Sequence, residues 1–294
     1  MSSIADSLRK ATQRPVATEQ EPAPKPVSAV LGTTEYQMNP QILRVAEAGF
    51  KHKQTFLCVG PPGTGKTTFW EKFAELKGVP FMRKPIEADT EASELSFARQ
   101  VGYTNGQASI VFELSPFLEF IQNPGIVLID EPFQSLSGSC LAPLRTILDE
   151  GKVYVPDGRV IHKHPECMIV FADNTKGAGE NYEKYQRNIQ DASLISRIDV
   201  CLEFDYLPEN QEIPLVMGIL SVSEDAARKV VQLCNLTRTA YRKGELSRVM
   251  TLRQVKAIGK LGMDPRGALK YVFRNTLTSD SELSAFDALV KSVY

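Results

Sequence analysis

Short apolar runs separated by glycine, proline and acidic residues set the pattern from about residue 35 to residue 208. Residues 55–59 (TFLCV) form one such run and end in a glycine loop, which predicts a buried strand. A helix is expected from Lys66 to Leu76 and a second strand over 80–83. The clearest buried strand is 126–130, in the stretch GIVLID that begins at Gly125. A helix should follow from Leu141 to Asp149 and stop at Gly151. Residues 152–155 and 159–162 flank Pro156-Asp157-Gly158, a hairpin signal. Further strands are expected over 167–172 and 200–204.

After Leu207-Pro208 the pattern changes to helices alone, over 209–220, 223–241, 251–261, 265–276 and 282–292. Strands alternating with helices, then helices only, predict a parallel five-stranded sheet flanked by helices and a small all-helical domain after it. The expected divisions are a tail over 1–34, an α/β domain over 35–208 and a helical domain over 209–294. The tail carries Pro15, Pro22, Pro24 and Pro26 among polar residues. Such a composition buries too little apolar area to offset its ordering entropy, so it is read as flexible.

Composition narrows the function classes. Lys and Arg number 34 and Asp and Glu 35, a net charge of −1, so the chain as a whole is no polycation for nucleic acid. No apolar stretch is long enough to span a membrane. The start, MSSIADSLRK, lacks the apolar run of a signal peptide, and a cytoplasmic location is expected. The five cysteines, Cys58, Cys140, Cys167, Cys201 and Cys234, are dispersed and form no C-x-x-C. Reduced, mostly buried thiols are expected rather than a disulfide frame or a zinc site.

Three strand ends carry the candidate chemistry. Gly60-Pro61-Pro62-Gly63-Thr64-Gly65-Lys66-Thr67, with Thr68 next, matches the phosphate-loop pattern G-x-x-x-x-G-K-[ST]. Its glycines let backbone N–H groups turn inward around phosphate oxygens, and the following helix adds its positive end. Lys66 should reach the β- and γ-phosphates of ATP, and the Thr67 hydroxyl should ligate Mg²⁺. Ile126-Val127-Leu128-Ile129-Asp130-Glu131 places two acids at the carboxyl end of a central strand, where an open α/β sheet binds its ligands. Asp130 is expected to hold Mg²⁺ as in a Walker-B motif, and Glu131 to polarise the attacking water. A third strand ends in Asp173-Asn174, and Asn174 is a candidate bridge between γ-phosphate and water. Arg197 and Arg253 are candidate nucleotide-contacting arginines, the first as a finger reaching a neighbouring subunit. An ordinary surface role remains open for each. His162 and His164 share one strand face, but with His52 they are the chain's three histidines, and a structural role is read there.

Together these motifs resemble the AAA+ ATPases, in particular the MoxR branch and the small ATPase subunit of the aerobic cobaltochelatase, CobS. The likeness spans roughly residues 40–275. It rests on Glu150-Gly151-Lys152 through Arg159-Val160-Ile161-His162-Lys163-His164-Pro165, on the strand ending Asp173-Asn174-Thr175, and on Gly179 to Tyr206-Leu207-Pro208. It implies that Asn174 is sensor 1, Arg197 the finger and Arg253 sensor 2. It also implies that Val111 to Phe120 is an insert that lines a ring pore; an ordinary core helix is the alternative. The tip Phe171-Ala172-Asp173-Asn174 lacks the family's usual Thr two positions before Asn, and Pro132-Phe133 replaces Ile-Asn. The resemblance implies Mg²⁺-dependent ATP hydrolysis by a homo-oligomer, a hexameric ring, that remodels a protein client. A von Willebrand-type metal-adhesion domain, if one is needed, would lie on another chain. The alternatives are a nucleic-acid motor, unsupported by the charge balance, and a nucleotide-gated scaffold.

Overall fold

The computed structural model describes residues 38–104, 107–133, 138–174 and 192–294. The proline-rich tail and the stretch around Gly179 lie outside the described residues. The described residues form one compact unit. In chain order its elements begin with α1 (Pro40–Lys51), β1 (Phe56–Val59), α2 (Lys66–Lys77) and β2 (Phe81–Pro85). There follow β3 (Phe97–Thr104), β4 (Gln107–Leu114), α3 (Pro116–Phe120), β5 (Gly125–Asp130), α4 (Ala142–Glu150), β6 (Lys152–Tyr154) and β7 (Val160–His162). The rest are β8 (Cys167–Asp173), α5 (Ala192–Ile195), β9 (Val200–Glu203), α6 (Glu209–Leu220), α7 (Glu224–Arg242), α8 (Leu252–Leu261), α9 (Pro265–Val272) and α10 (Asp280–Val293).

The predicted five strands pair as one parallel sheet in the order β2-β5-β8-β1-β9. β1, β5 and β8 are buried along their whole length, which is why they read as continuous apolar runs. One face of the sheet packs Leu57, Val127, Ile129, Ile169 and Phe171 against α3 and α4. The other packs Phe56, Cys58, Leu128 and Val170 against α2. There Phe69, Trp70 and Phe73 of α2 are fully buried. Trp70 stacks edge-on to Phe69 and Phe73 at 5.3 Å each and donates its indole N–H to Cys58 Sγ at 2.9 Å. Each such ring contributes about 1.5–3 kcal/mol by burial, so the helix behind the glycine loop is firmly seated.

Two stretches differ from the sequence expectation. Val111–Leu114 belongs to β4, and only Pro116–Phe120 is helical, so the presumed insert is neither a single helix nor all core. β3 and β4 pair antiparallel as a hairpin whose outer half exposes Val101, Tyr103 and Ile110. The expected helix over 265–276 breaks at Phe273, and Arg274–Thr276 continues as a tighter turn. The shorter hairpin, β6–β7, forms where Pro156-Asp157-Gly158 placed it. Its Arg159 donates to the Phe112 carbonyl and thereby ties the two hairpins together.

The helices after Pro208 enclose their own apolar cluster, with Val216, Val230, Cys234, Met250, Val255 and Phe286 buried. Glu282 closes this cluster's edge. Its carboxylate accepts from Ser247 N at 2.6 Å, from Ser279 Oγ at 3.1 Å and from the backbone N–H groups of Thr278 and Ser279 at 3.3 Å each, a capping box for α10. The bonds from Ser247 first, then those from Ser279 and Thr278, outweigh burial and pull its pKa from 4.5 to about 2. A depressed carboxylate pKa stabilises the fold above the unfolded value and loses that contribution as pH falls through the folded one. Glu282→Ala should therefore lower stability by about 1–3 kcal/mol at neutral pH. In urea titrations the gap to wild type should close between pH 4.5 and about 2.

Candidate nucleotide-binding site

A parallel sheet turns all its carboxyl ends to one side. The order of β5, β8 and β1 makes the three candidate strand ends neighbours, with Asp130 opposite Ala172 and Val59 opposite Asp173. The glycine loop leaves β1 at Gly60. A Cβ there would lie 2.0 Å from the Phe204 carbonyl oxygen, so only glycine fits against the end of β9. At Gly63, φ is +81° and a Cβ would meet Thr251 at 2.5 Å. The loop thus touches the N-cap of α8, the helix that carries Arg253.

Lys66 is buried, 8% exposed. Its ammonium donates to the carbonyls of Gly60 at 2.7 Å and Pro61 at 3.1 Å and to Asn174 Oδ1 at 3.0 Å. Asn174 Nδ2 in turn donates to Glu131 Oε1 at 2.6 Å. Residues 66, 174 and 131 are therefore one hydrogen-bonded line across three adjacent strand ends. Burial pushes the Lys66 pKa below the usual lysine range, against the pull of Asp130, then Asp173, with Glu131 weaker. Glu131 holds φ at +55°, a left-handed backbone that non-glycine residues seldom adopt. Its N–H is fixed on the Ala172 carbonyl at 2.7 Å. Strain of this kind, held by neighbours, is common where a side chain must be aimed.

Thr67 stands at the second position of α2, half-buried, and Thr68 follows it. Thr64 Oγ1 donates to the Pro61 carbonyl at 2.9 Å and so braces the loop. Asp130 is 8% exposed and is gripped by Arg83 of β2. Among the described residues no group of three His, Cys, Asp or Glu side chains could hold a metal alone. One carboxylate and one hydroxyl, both hard oxygen donors, suit Mg²⁺, which typically completes its shell with phosphate oxygens and water. The donor set at Thr67 and Asp130 fits that ion.

The arginines fall differently. Arg253 is exposed, and its backbone N–H is capped by Thr251 Oγ1 at 3.2 Å. No hydrogen bond or ion pair joins its guanidinium to another described residue. Arg197 follows α5 and points to α4: Nε and Nη2 each lie 2.6 Å from an Asp149 oxygen, and Nη1 reaches the Ser193 carbonyl. Within its own chain it is thus an ion-paired arginine, with no bond to the loop. His162 is exposed on β7, and His164 accepts the Glu166 N–H at 3.0 Å, a local turn contact. Of the thiols only Cys201 is exposed.

Three contributors escaped the sequence reading. Arg83 touches Asp130, and Asp173 is fully buried beside Lys66. Tyr206 donates its hydroxyl to the Pro62 carbonyl at 3.2 Å, while Arg238 of α7 lies 3.9 Å above its ring. Arg238 is itself fixed by a buried two-bond pair with Glu212 of α6, at 2.6 and 2.9 Å. The glycine loop is therefore linked through one tyrosine to the helices that follow.

Residues 55–198 match the model of the AAA domain, dynein-related subfamily. The architecture, a five-stranded parallel sheet flanked by helices with further helices after it, is that of the P-loop AAA+ α/β fold. A solved structure described as a candidate ATPase from Cytophaga hutchinsonii is similar over 83% of this chain and 78% of its own, at 14% identity and a TM-score of 0.45. No curated protein matches the sequence. No helix among the described residues is long and apolar enough to cross a membrane.

Proposed function

We propose that the chain is a Mg²⁺-dependent ATPase of the MoxR or CobS-like kind, working as a ring, hexameric by resemblance, that remodels or activates a protein partner. The observation that carries the hydrolytic part is the line from Lys66 through Asn174 to Glu131. That line supports reading Lys66 as the phosphate-facing cation, Asn174 as the polar bridge and Glu131 as the carboxylate base. Lys66 exchanges its carbonyl partners for the β- and γ-phosphates of ATP. Thr67 and Asp130 would hold Mg²⁺, which would supply neutralisation of charge on the transferring group. Glu131 accepts a proton from the attacking water, and Asn174 orients that water against the γ-phosphate. Arg197 leaves Asp149 to serve the site of an adjacent subunit, and Arg253 closes over the nucleotide from the helical side. The client is a protein, with a separate chain carrying a von Willebrand-type domain as one candidate.

The loop assignment rests on Lys66. Lys66→Ala should weaken ATP binding by on the order of 100-fold or more, because it removes the charge-assisted bonds to the phosphates. Calorimetric titration reads this directly. Unchanged affinity would end the assignment.

A further inference from the structure

The ion pair at Asp130 is built asymmetrically. Arg83 of β2 stands opposite Leu128 of β5, two residues before Asp130, so both side chains leave the same face of the sheet. Arg83 Nε and Nη2 converge on a single oxygen, Asp130 Oδ2, at 2.7 and 2.6 Å. The two partners are unequally buried: the Arg83 side chain is 55% exposed and that of Asp130 only 11%. Arg83 can swing into solvent at little cost. Asp130 without a directly bound cation would be a largely buried charge left with only the longer-range attraction of Lys66. Lys66 itself makes no hydrogen bond to it, its ammonium being bound to Gly60, Pro61 and Asn174.

We propose that Arg83 and the divalent cation compete for the Asp130 carboxylate, Arg83 acting as an exchangeable counter-ion that sets how tightly the metal is held. The inference rests on the reading that Asp130 holds Mg²⁺. Metal arriving with nucleotide displaces the guanidinium outward, and loss of metal lets it return. The carboxylate remains paired throughout, and metal affinity is lowered by the free energy of the ion pair. Arg83 is then a positioning residue, which contacts neither the phosphates nor the water.

The test uses the full chain, ADP, and Mn²⁺ as a spin-active stand-in for Mg²⁺. In wild type, ADP affinity measured by calorimetry should rise when metal is added to an EDTA-treated sample. If it does not, the reading of Asp130 as a metal holder fails first. With that established, Arg83→Met should raise the Mn²⁺ affinity of the ADP-bound protein, read by electron paramagnetic resonance, by about two- to fivefold. ADP affinity in EDTA should be unchanged. Arg83→Gln, which keeps a polar side chain without the charge, should do the same and serves if the methionine variant fails to fold. Equal or weaker Mn²⁺ binding in the folded variant would overturn the proposal. So would loss of ADP affinity in EDTA, which would make Arg83 a phosphate contact.

Discussion

Replacing Arg197 with alanine should leave ATP binding nearly intact and lower hydrolysis by about 10³–10⁵. That is the expected effect if its guanidinium stabilises charge on the phosphoryl group in a neighbouring subunit's site. The structure supplies the control. Within its own chain Arg197 is bound to Asp149 by two bonds of 2.6 Å. If Arg197 served only to hold α4 against the segment after α5, Asp149→Ala would reproduce the loss. A trans-acting arginine predicts instead that Asp149→Ala keeps turnover near wild type. Mixing separates the cases further. An Arg197→Ala subunit keeps its phosphate loop, and a Lys66→Ala subunit keeps its arginine, so mixed assemblies should recover part of the activity. Subunit exchange must be shown first by native mass spectrometry. Normal hydrolysis by Arg197→Ala would remove the main reason to expect a ring.

The second large effect belongs to Glu131. Glu131→Gln is nearly isosteric and can still engage the Asn174 amide, which now lies 2.6 Å from the carboxylate. It cannot accept a proton as the carboxylate does, so turnover should fall by about 10²–10⁴. ATP and Mg²⁺ should stay bound, because Lys66, Thr67 and Asp130 are untouched. The strained φ of +55° is a property of the position and will remain in the variant. A drop in stability comparable to the drop in activity is therefore not expected. The same variant, arrested with nucleotide bound, is the bait that tests the proposed protein partner.

The parts of this site legible in the sequence are those written within a few residues. The glycine loop with Lys66 and Thr67, the acid pair ending β5 and the Asn174 tip each combine an apolar strand with a polar end. Full burial marks β1, β5 and β8 as interior strands, while the sheet order comes from their pairing. The N-terminal helix α1 does carry a local signal, the Asn39 cap with Pro40 and apolar Ile42, Leu43, Ala46 and Phe50 at helical spacing, which the sequence reading passed over. The β3–β4 hairpin stayed hidden for a physical reason. Its strands are mostly exposed, so no alternation of buried and polar positions announces them. Arg83 precedes Asp130 by 47 residues, and only the pairing of β2 with β5 brings them together. Tyr206 and Thr251 reach the loop through contacts across the compact unit, which no local spacing encodes.

The most direct measurement is a single-turnover experiment on wild type and Glu131→Gln side by side, following phosphate release and nucleotide retention with Mg²⁺ and with EDTA. Wild type should release phosphate only with Mg²⁺. Glu131→Gln should retain unhydrolysed ATP with Mg²⁺ over the same interval. Phosphate release by the variant at the wild-type rate, or release by wild type that ignores Mg²⁺, would contradict the account.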